Sequence, residues 1–366
     1  MTCTPLPGPD LNPSPNAGTP SEAPLTHSRP TVLLTGSTGV IGTHLLPALA
    51  RHHEVTALVR HRRPPQGTTC VQGDLNAEDL GLSSRQRREL AARTDVIVHC
   101  AALTDFAPPD MAAFDAVNAE GTRRILELAD DARAPVILLS SAAAAFEVTG
   151  DDLAARSLRA YSHSKRRAEE LAAHCNQPVA IVRTALLFAA RNAPAAPRRQ
   201  FPHTLFDALL RGRPGGLPLP REHWCDITPM ETLIAYLTAL TETRVRGDAA
   251  SVGIHWATAG PARLTAADVE DACTRFLDEA GHLSSYPLLS PPSPARPRTH
   301  GMARLAQLGF QPPEQPCLPS HLDRLLPTQL TRKETLDALA HNIRLCAATA
   351  LPSQHPRQGK PSITNE

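Results

Sequence analysis

The chain has 366 residues, enough to bury a large core as one large or two smaller domains. Lys plus Arg number 37 and Asp plus Glu 36, so no global field draws nucleic acid or an anionic membrane surface. No run approaches the ~18–20 apolar residues of a membrane span, and the N-terminus lacks a charged start followed by an apolar stretch, so a cytoplasmic protein is the expectation.

Residues 1–29 are rich in Pro, Ser, Thr and Gly and hold few large apolar groups, which reads as a disordered leader. Thr31 to Leu34 reads as a buried strand, Thr35-Gly-Ser-Thr-Gly-Val-Ile-Gly42 as a glycine turn, and the apolar stretch from His44 as a helix. Strand, glycine turn and helix in this order place a pyrophosphate on a helix N-terminus. Gly36 permits the tight turn, Gly39 lets the backbone approach phosphate oxygens, and Gly42 allows close helix packing. Ser37, Thr38, Val40 and Ile41 belong to the same turn and are expected to line the nucleotide.

Further strands are expected at Glu54–Val59, Thr68–Gln72, Asp95–Cys100, Val136–Ser140 and Val179–Thr184. Helical spacing marks Asn118 to Asp130 and Tyr161 to His174. This alternation of Val/Ile/Leu-rich strands with helices predicts an α/β fold: a doubly wound, Rossmann-type parallel sheet covered on both faces. From Ala190 to Pro220 the chain turns irregular and rich in Pro, Arg and Gly. Elements resume at Asp226–Leu240 and Gly253–Thr258, followed by a helix over Leu264–Gly281, capped by Thr265 with Asp268, and another over Thr331–Ala350. The expected organisation is a nucleotide-binding unit over 30–190, with 222–260 returning to it. A smaller, interwoven C-terminal substrate-binding region takes 191–221 and 261–351, and a tail follows from 352 to 366.

The strongest chemical constellation is Tyr161-Ser-His-Ser-Lys165. Four residues apart on a helix, Tyr and Lys project from one face. An ammonium beside a phenol favours the phenolate and makes a general acid/base usable near neutral pH. Ser140-Ser141 ends the fifth strand, where ligands sit in an open α/β sheet, and a hydroxyl there can hold a substrate carbonyl. His99 reads as a buried structural histidine and Cys100 as core packing. The eight cysteines include no Cys-x-x-Cys pair and read as free thiols of a reducing compartment; His223-Trp-Cys225-Asp226 fits no standard metal site.

These motifs resemble the extended short-chain dehydrogenase/reductase family. The resemblance rests on Thr35–Gly42, Gly73-Asp-Leu75, His99-Cys-Ala-Ala102, Asn118-Ala-Glu-Gly-Thr122, Ser140-Ser141, Tyr161 with Lys165, and Asp226-Ile-Thr-Pro-Met230, and it runs from about residue 31 to 260. It implies Tyr161 as proton donor or acceptor, Lys165 as the residue that positions the nicotinamide ribose, and Ser141 as the group that polarises the substrate, with Ser140 as the competing assignment. It also implies that Asp74 contacts the adenine and that Leu75, Ala101, Ala102 and Asn118 border the cofactor.

The second strand runs into Arg60-His-Arg-Arg63, where an NAD enzyme usually carries an acidic residue. A guanidinium suits a 2′-phosphate, so Arg60 predicts NADP(H). The stretches Leu58-Val-Arg60, His99–Phe106 and Asn118–Thr122 are similar to the thioester reductase and fatty acyl reductase-like subgroup. That subgroup uses NADPH to reduce a carrier-bound acyl thioester. It implies a small-molecule or carrier-bound acyl substrate, with an acyl carrier protein as partner; a homodimer is the expected oligomer. The alternatives are a nucleotide-sugar epimerase or reductase, a simple ketone or aldehyde reductase, and a non-catalytic NADP-binding regulator. Ala142-Ala143 stands where dehydratases of this kind carry Asp-Glu. The arginines at 198, 199, 211 and 213 could meet a phosphate, a carboxylate or an acidic carrier, or be solvated charge.

Overall fold

The computed structural model describes residues 29–65, 67–104, 110–192, 200–211, 217–248, 251–281, 288–290 and 309–350. The expected leader, apart from Arg29, and the expected tail lie outside the described residues, as do Arg198, Arg199 and Arg213.

Seven strands form one all-parallel sheet: β1 (Thr31–Thr35), β2 (Glu54–Val59), β3 (Thr69–Gln72), β4 (Val96–His99), β5 (Val136–Ser141), β6 (Val179–Thr184) and a late strand, Gly253–Ala257. Their order across the sheet is β3-β2-β1-β4-β5-β6 followed by the late strand. The chain winds outward from β1 in one direction and from β4 in the other, so a crevice opens at the carboxyl ends of β1 and β4. The pleat divides the core. Val32 and Leu34 face one side of the sheet with Val98, Ile137 and Leu139; Leu33 faces the other with Ile97, Val136 and Leu138.

Helices cover both faces. On the Val32 side lie α1 (Gly42–Leu49) and the helix Met230–Val245, packed through Leu45, Leu49, Leu233, Leu237 and Leu240. On the Leu33 side lie α2 (Ser84–Ala91), the helix Gly121–Ala132 and the long helix Leu153–Ala173. A turn of π-helix, Asp115–Glu120, leads into Gly121. The long helix begins eight residues before the expected Tyr161, because Asp152 caps it by accepting the Ala155 N–H at 3.1 Å. The late strand is held to its helix by a buried pair: the Tyr236 hydroxyl meets His255 Nδ1 at 2.7 Å, and His255 Nε2 reaches the Ser251 carbonyl at 2.9 Å. The second contact makes Nε2 the donor, so Nδ1 accepts from the phenol.

A second apolar cluster is built from the other half of the chain. Helices Phe201–Leu210, Ala266–Glu279 and Arg332–Ala350 pack Phe206, Leu209, Val269, Leu277, Leu339 and Ile343 together. Thr265 and Asp268 form the capping box expected from the sequence. Three two-stranded ladders tie this cluster to the rest: Leu186–Leu187 with Ile227–Thr228, Leu217–Pro218 with Leu289–Ser290, and Trp224–Cys225 with Leu264–Thr265.

Candidate functional site

The glycine turn sits at the crevice between β1 and β4. Gly36 has φ +72°, and a Cβ there would lie 2.6 Å from the Ala101 nitrogen. Gly42 answers to a closer constraint than helix-on-strand packing: a Cβ would stand 2.1 Å from the Gly36 carbonyl oxygen. The first turn of α1 therefore lies on the turn itself, with the N–H groups of Thr43, His44 and Leu45 bonded back to the carbonyls of Gly39 and Ile41. Ser37 is buried, and its hydroxyl oxygen has no hydrogen-bond partner among the described residues. An orphaned hydroxyl in such a cradle suits an incoming phosphate oxygen.

From this turn one continuous cleft of about 1490 Å³ runs across the sheet. Its lining includes Gly36 to Ile41, Arg60, Asp74, Leu75, Ala101 and Ala102, and further along Ser141, Tyr161 and Lys165. Beyond them it passes Leu186, Phe201 and Phe310 of the second cluster, and Phe146 and Trp224 of a small separate group with Ala142 and Leu318. Asn118 is not among the lining residues. It is buried in the π-helical turn, where its Oδ1 accepts the Leu103 N–H at 2.7 Å and its Nδ2 donates to the Leu103 carbonyl at 3.1 Å. Asn118 thus shapes the cleft by holding the irregular segment that follows Ala102.

The two serines part company. Residues 136, 138 and 140 share one face of β5, and Ser140 meets Glu169 of the long helix by a hydrogen bond from its hydroxyl. Ser141 is the last residue of the strand; its Oγ accepts the Ala143 N–H at 3.2 Å and is hydrogen-bonded to Tyr161. Burial pushes the Tyr161 phenol above its ordinary value, and the Ser141 bond partly offsets this. Phe114 packs edge-on to the ring at 5.9 Å. Lys165 donates from Nζ to the Leu139 carbonyl at 2.7 Å rather than to the phenol. Burial lowers its pKa to about 8, against the opposing pull of Glu169. An amine so placed needs only a small free-energy change to gain or lose its proton near neutral pH.

His99 is fully enclosed between Thr35 Oγ1, 2.7 Å from Nδ1, and Thr122 Oγ1, 3.2 Å from Nε2. Burial lowers its pKa to about 3, so it stays neutral and serves the packing of β1 on β4. Burial pushes the Cys100 thiol up to about 12, which makes it inert. Asp226 accepts N–H bonds from Ala259 and Gly260, both at 2.8 Å, and burial raises its pKa to about 6. Cys225 beside it lies in the second apolar cluster. The loop after Ser141, unread in the sequence, is fastened by the long helix. Ser162 donates to the Ala143 carbonyl at 2.6 Å, and Arg166 donates to the carbonyls of Ala144 and Phe146 at 3.0 and 3.1 Å.

Comparison with known proteins agrees with this geometry. An NAD-binding family model, described as male sterility protein, matches residues 65–237. Equisetin synthetase of Fusarium heterosporum is 38% identical over 125 residues, which are 31% of this chain and 3% of that protein. Glycine betaine reductase of Emericella nidulans is 34% identical over 139 residues, 30% of this chain and 11% of that protein. The chain therefore spans a small part of the length of these curated relatives. Among solved structures, the terminal R domain from the myxalamid PKS-NRPS biosynthetic pathway superposes with a TM-score of 0.60 at 19% identity, covering 90% of this chain and 93% of that one. UDP-glucuronic acid 4-epimerase from Bacillus cereus, in complex with NAD, gives a TM-score of 0.57 at 17% identity, covering 87% and 99%. Both likenesses are of fold. Fold, glycine turn and family match agree that the crevice is a nucleotide-cofactor site.

Proposed function

We propose that this chain, a member of the extended short-chain dehydrogenase/reductase family, is an NADPH-dependent oxidoreductase that reduces an acyl thioester or a related carbonyl. The observation that carries the proposal is the meeting of Ser141, Tyr161 and Lys165 in the cleft that begins at the glycine turn. Reduction is favoured over sugar-nucleotide epimerisation by the male sterility family match and by the sequence likeness to a glycine betaine reductase. NADPH, when bound, supplies a hydride. The glycine turn and Ser37 would hold its phosphates, and Arg60 at the cleft wall would pair with the 2′-phosphate.

The side chains then have distinct tasks. Ser141 donates a hydrogen bond to the substrate oxygen and polarises the carbon–oxygen bond. Tyr161 gives its proton to that oxygen as negative charge develops there. Burial keeps the phenol protonated beforehand, so the proton is present when needed. Lys165 contributes positive charge that eases the phenolate left behind. The apolar walls at Phe146, Phe201, Trp224 and Phe310 keep water from the reacting carbon and accept the acyl part. An acyl carrier protein is the partner that would deliver a bound thioester.

The test is NADPH oxidation with acyl-coenzyme A, carrier-bound acyl thioesters, simple ketones and UDP-sugars, with product identification. The proposal expects one NADPH to turn a thioester into an aldehyde, with the carbon–sulfur bond breaking and the carrier's thiol released, and a second NADPH to take that aldehyde to an alcohol. An interconverted UDP-sugar with no net consumption of cofactor would replace it by the epimerase reading.

A further inference from the structure

We propose that Glu169 is a positioning residue, which locks Lys165 and the end of β5 to one another through Ser140 and Arg183. This rests on the reductase reading, because it concerns how Lys165 is held for that reaction. Tyr161, Lys165 and Glu169 recur every four residues and share the sheet-facing side of the long helix. Three consecutive residues of β5 receive them. The Leu139 carbonyl takes Lys165 Nζ, Ser140 bonds Glu169, and Ser141 bonds Tyr161. On β5 the Glu169 partner, Ser140, lies between the residues that receive Lys165 and Tyr161.

Glu169 also reaches a second strand. The Glu169 carboxylate is buried and takes a two-pronged bond from Arg183 of β6, 3.0 Å from Nε to Oε1 and 2.6 Å from the second nitrogen to Oε2. Arg183 stands opposite Ser140 in the strand register and lies over the Trp256 ring, 4.9 Å from its centre. The carboxylate therefore ties the long helix to β5, β6 and the last strand of the sheet at the height of the reacting groups. Its second effect is electrostatic. The groups around Lys165 are Glu169 and Tyr161 on its own helix, and His99 and Cys100 at the end of β4, with Arg183 on β6 beyond Glu169. His99 is neutral and the Cys100 thiol stays protonated, so Glu169 is the anion in this set. It works against the burial that favours the neutral amine.

The chain has three lysines, Lys165, Lys333 and Lys360, so trace acetylation of amines read by mass spectrometry follows Lys165 without turnover. The labelling midpoint of Lys165 would be measured from about pH 6 to about pH 10 in wild type, Glu169→Gln and Glu169→Asp. Glu169→Gln should move it down by about one pH unit, and Glu169→Asp should restore it. In turnover, the alkaline limb of kcat should move down in step, with KM for NADPH little changed. A residue that only supports the fold would lower kcat without moving either midpoint. If Glu169→Gln does not fold, the double variant Glu169→Gln/Arg183→Gln leaves no unpaired buried charge and should still move the midpoint down, by less than the single variant because the more distant Arg183 cation is lost with the anion. An unmoved Lys165 midpoint in the folded variant overturns the proposal. Full activity of Tyr161→Phe would instead overturn the reductase reading and leave the labelling result standing.

Discussion

Tyr161 and Arg60 carry the two claims that single substitutions separate best. Tyr161→Phe removes the proton donor while keeping the ring that packs on Phe114, so turnover should fall roughly 100- to 10,000-fold with NADPH affinity nearly unchanged. Arg60 lines the cleft at the end of β2. Loss of a charge-assisted bond costs about 1.5–3 kcal/mol, so Arg60→Ala should weaken NADPH roughly 10- to 100-fold and NADH much less. Equal weakening of both, measured by fluorescence titration, would remove the 2′-phosphate from the account. His99 tests the electrostatics of the core. Its folded pKa of about 3 lies below the ordinary 6.5, so the unfolded chain binds the extra proton as pH falls. The neutral ring's stability is fully present above about pH 6.5 and declines below it, by about 2 kcal/mol at pH 5. His99→Gln should flatten the dependence of melting temperature on pH in that window; parallel curves for both proteins would contradict the assignment. At this scale the sequence was informative on residue type and ambiguous on direction. Tyr161 and Lys165 are legible from their spacing. Both Ser140 and Ser141 line the cleft, and they are told apart only by their partners: the Ser140 hydroxyl goes to Glu169 and the Ser141 hydroxyl to Tyr161.

Among the elements, α1 and its glycine turn were the most legible, because their residues are dictated by backbone approach. Gly42→Ala would put a methyl 2.1 Å from the Gly36 oxygen, and backbone cannot step aside as a side chain can. Overpacking of this kind costs about 1–3 kcal/mol. The variant should melt earlier and bind NADPH more weakly; calorimetry showing wild-type values for both would mean that the turn is looser than described. β2 and β6 begin and end where the hydrophobic pattern puts them, since buried parallel strands read as continuous apolar runs. The helix Phe201–Leu210 escaped sequence reading because Pro202 and the surrounding prolines and glycines read as loop. Proline is tolerated in the first turn of a helix, where its missing N–H has no intrahelical partner to lose. The turn of π-helix at Asp115–Glu120 was illegible for another reason: it is set by the contacts of Asn118 with Leu103 and Ser164, which are long-range.

The whole molecule joins two apolar clusters through a shared cleft. The parallel sheet holds the nucleotide end, and the cluster around Phe206, Leu339 and Ile343 holds the far wall. The sheet was foreseeable from alternating elements. Two helices of the second cluster were foreseeable too, over Leu264–Gly281 and Thr331–Ala350; the third, Phe201–Leu210, and the packing of all three were not, because they come from stretches separated by irregular chain and meet only through tertiary contacts. Leu339→Ala should cost about 2–5 kcal/mol by chemical denaturation, since Leu339 is fully buried there; a loss below about 1 kcal/mol would show that this cluster packs loosely. The central claim is that the cleft uses Tyr161 to protonate a carbonyl that NADPH reduces. Its most direct measurement is the NADPH oxidised and the aldehyde or alcohol formed from a carrier-bound acyl thioester, compared between wild type and Tyr161→Phe. The account predicts matched cofactor loss and product in the wild type, and neither in the variant. Undiminished reduction by Tyr161→Phe, or turnover of a UDP-sugar without net NADPH oxidation, would contradict it.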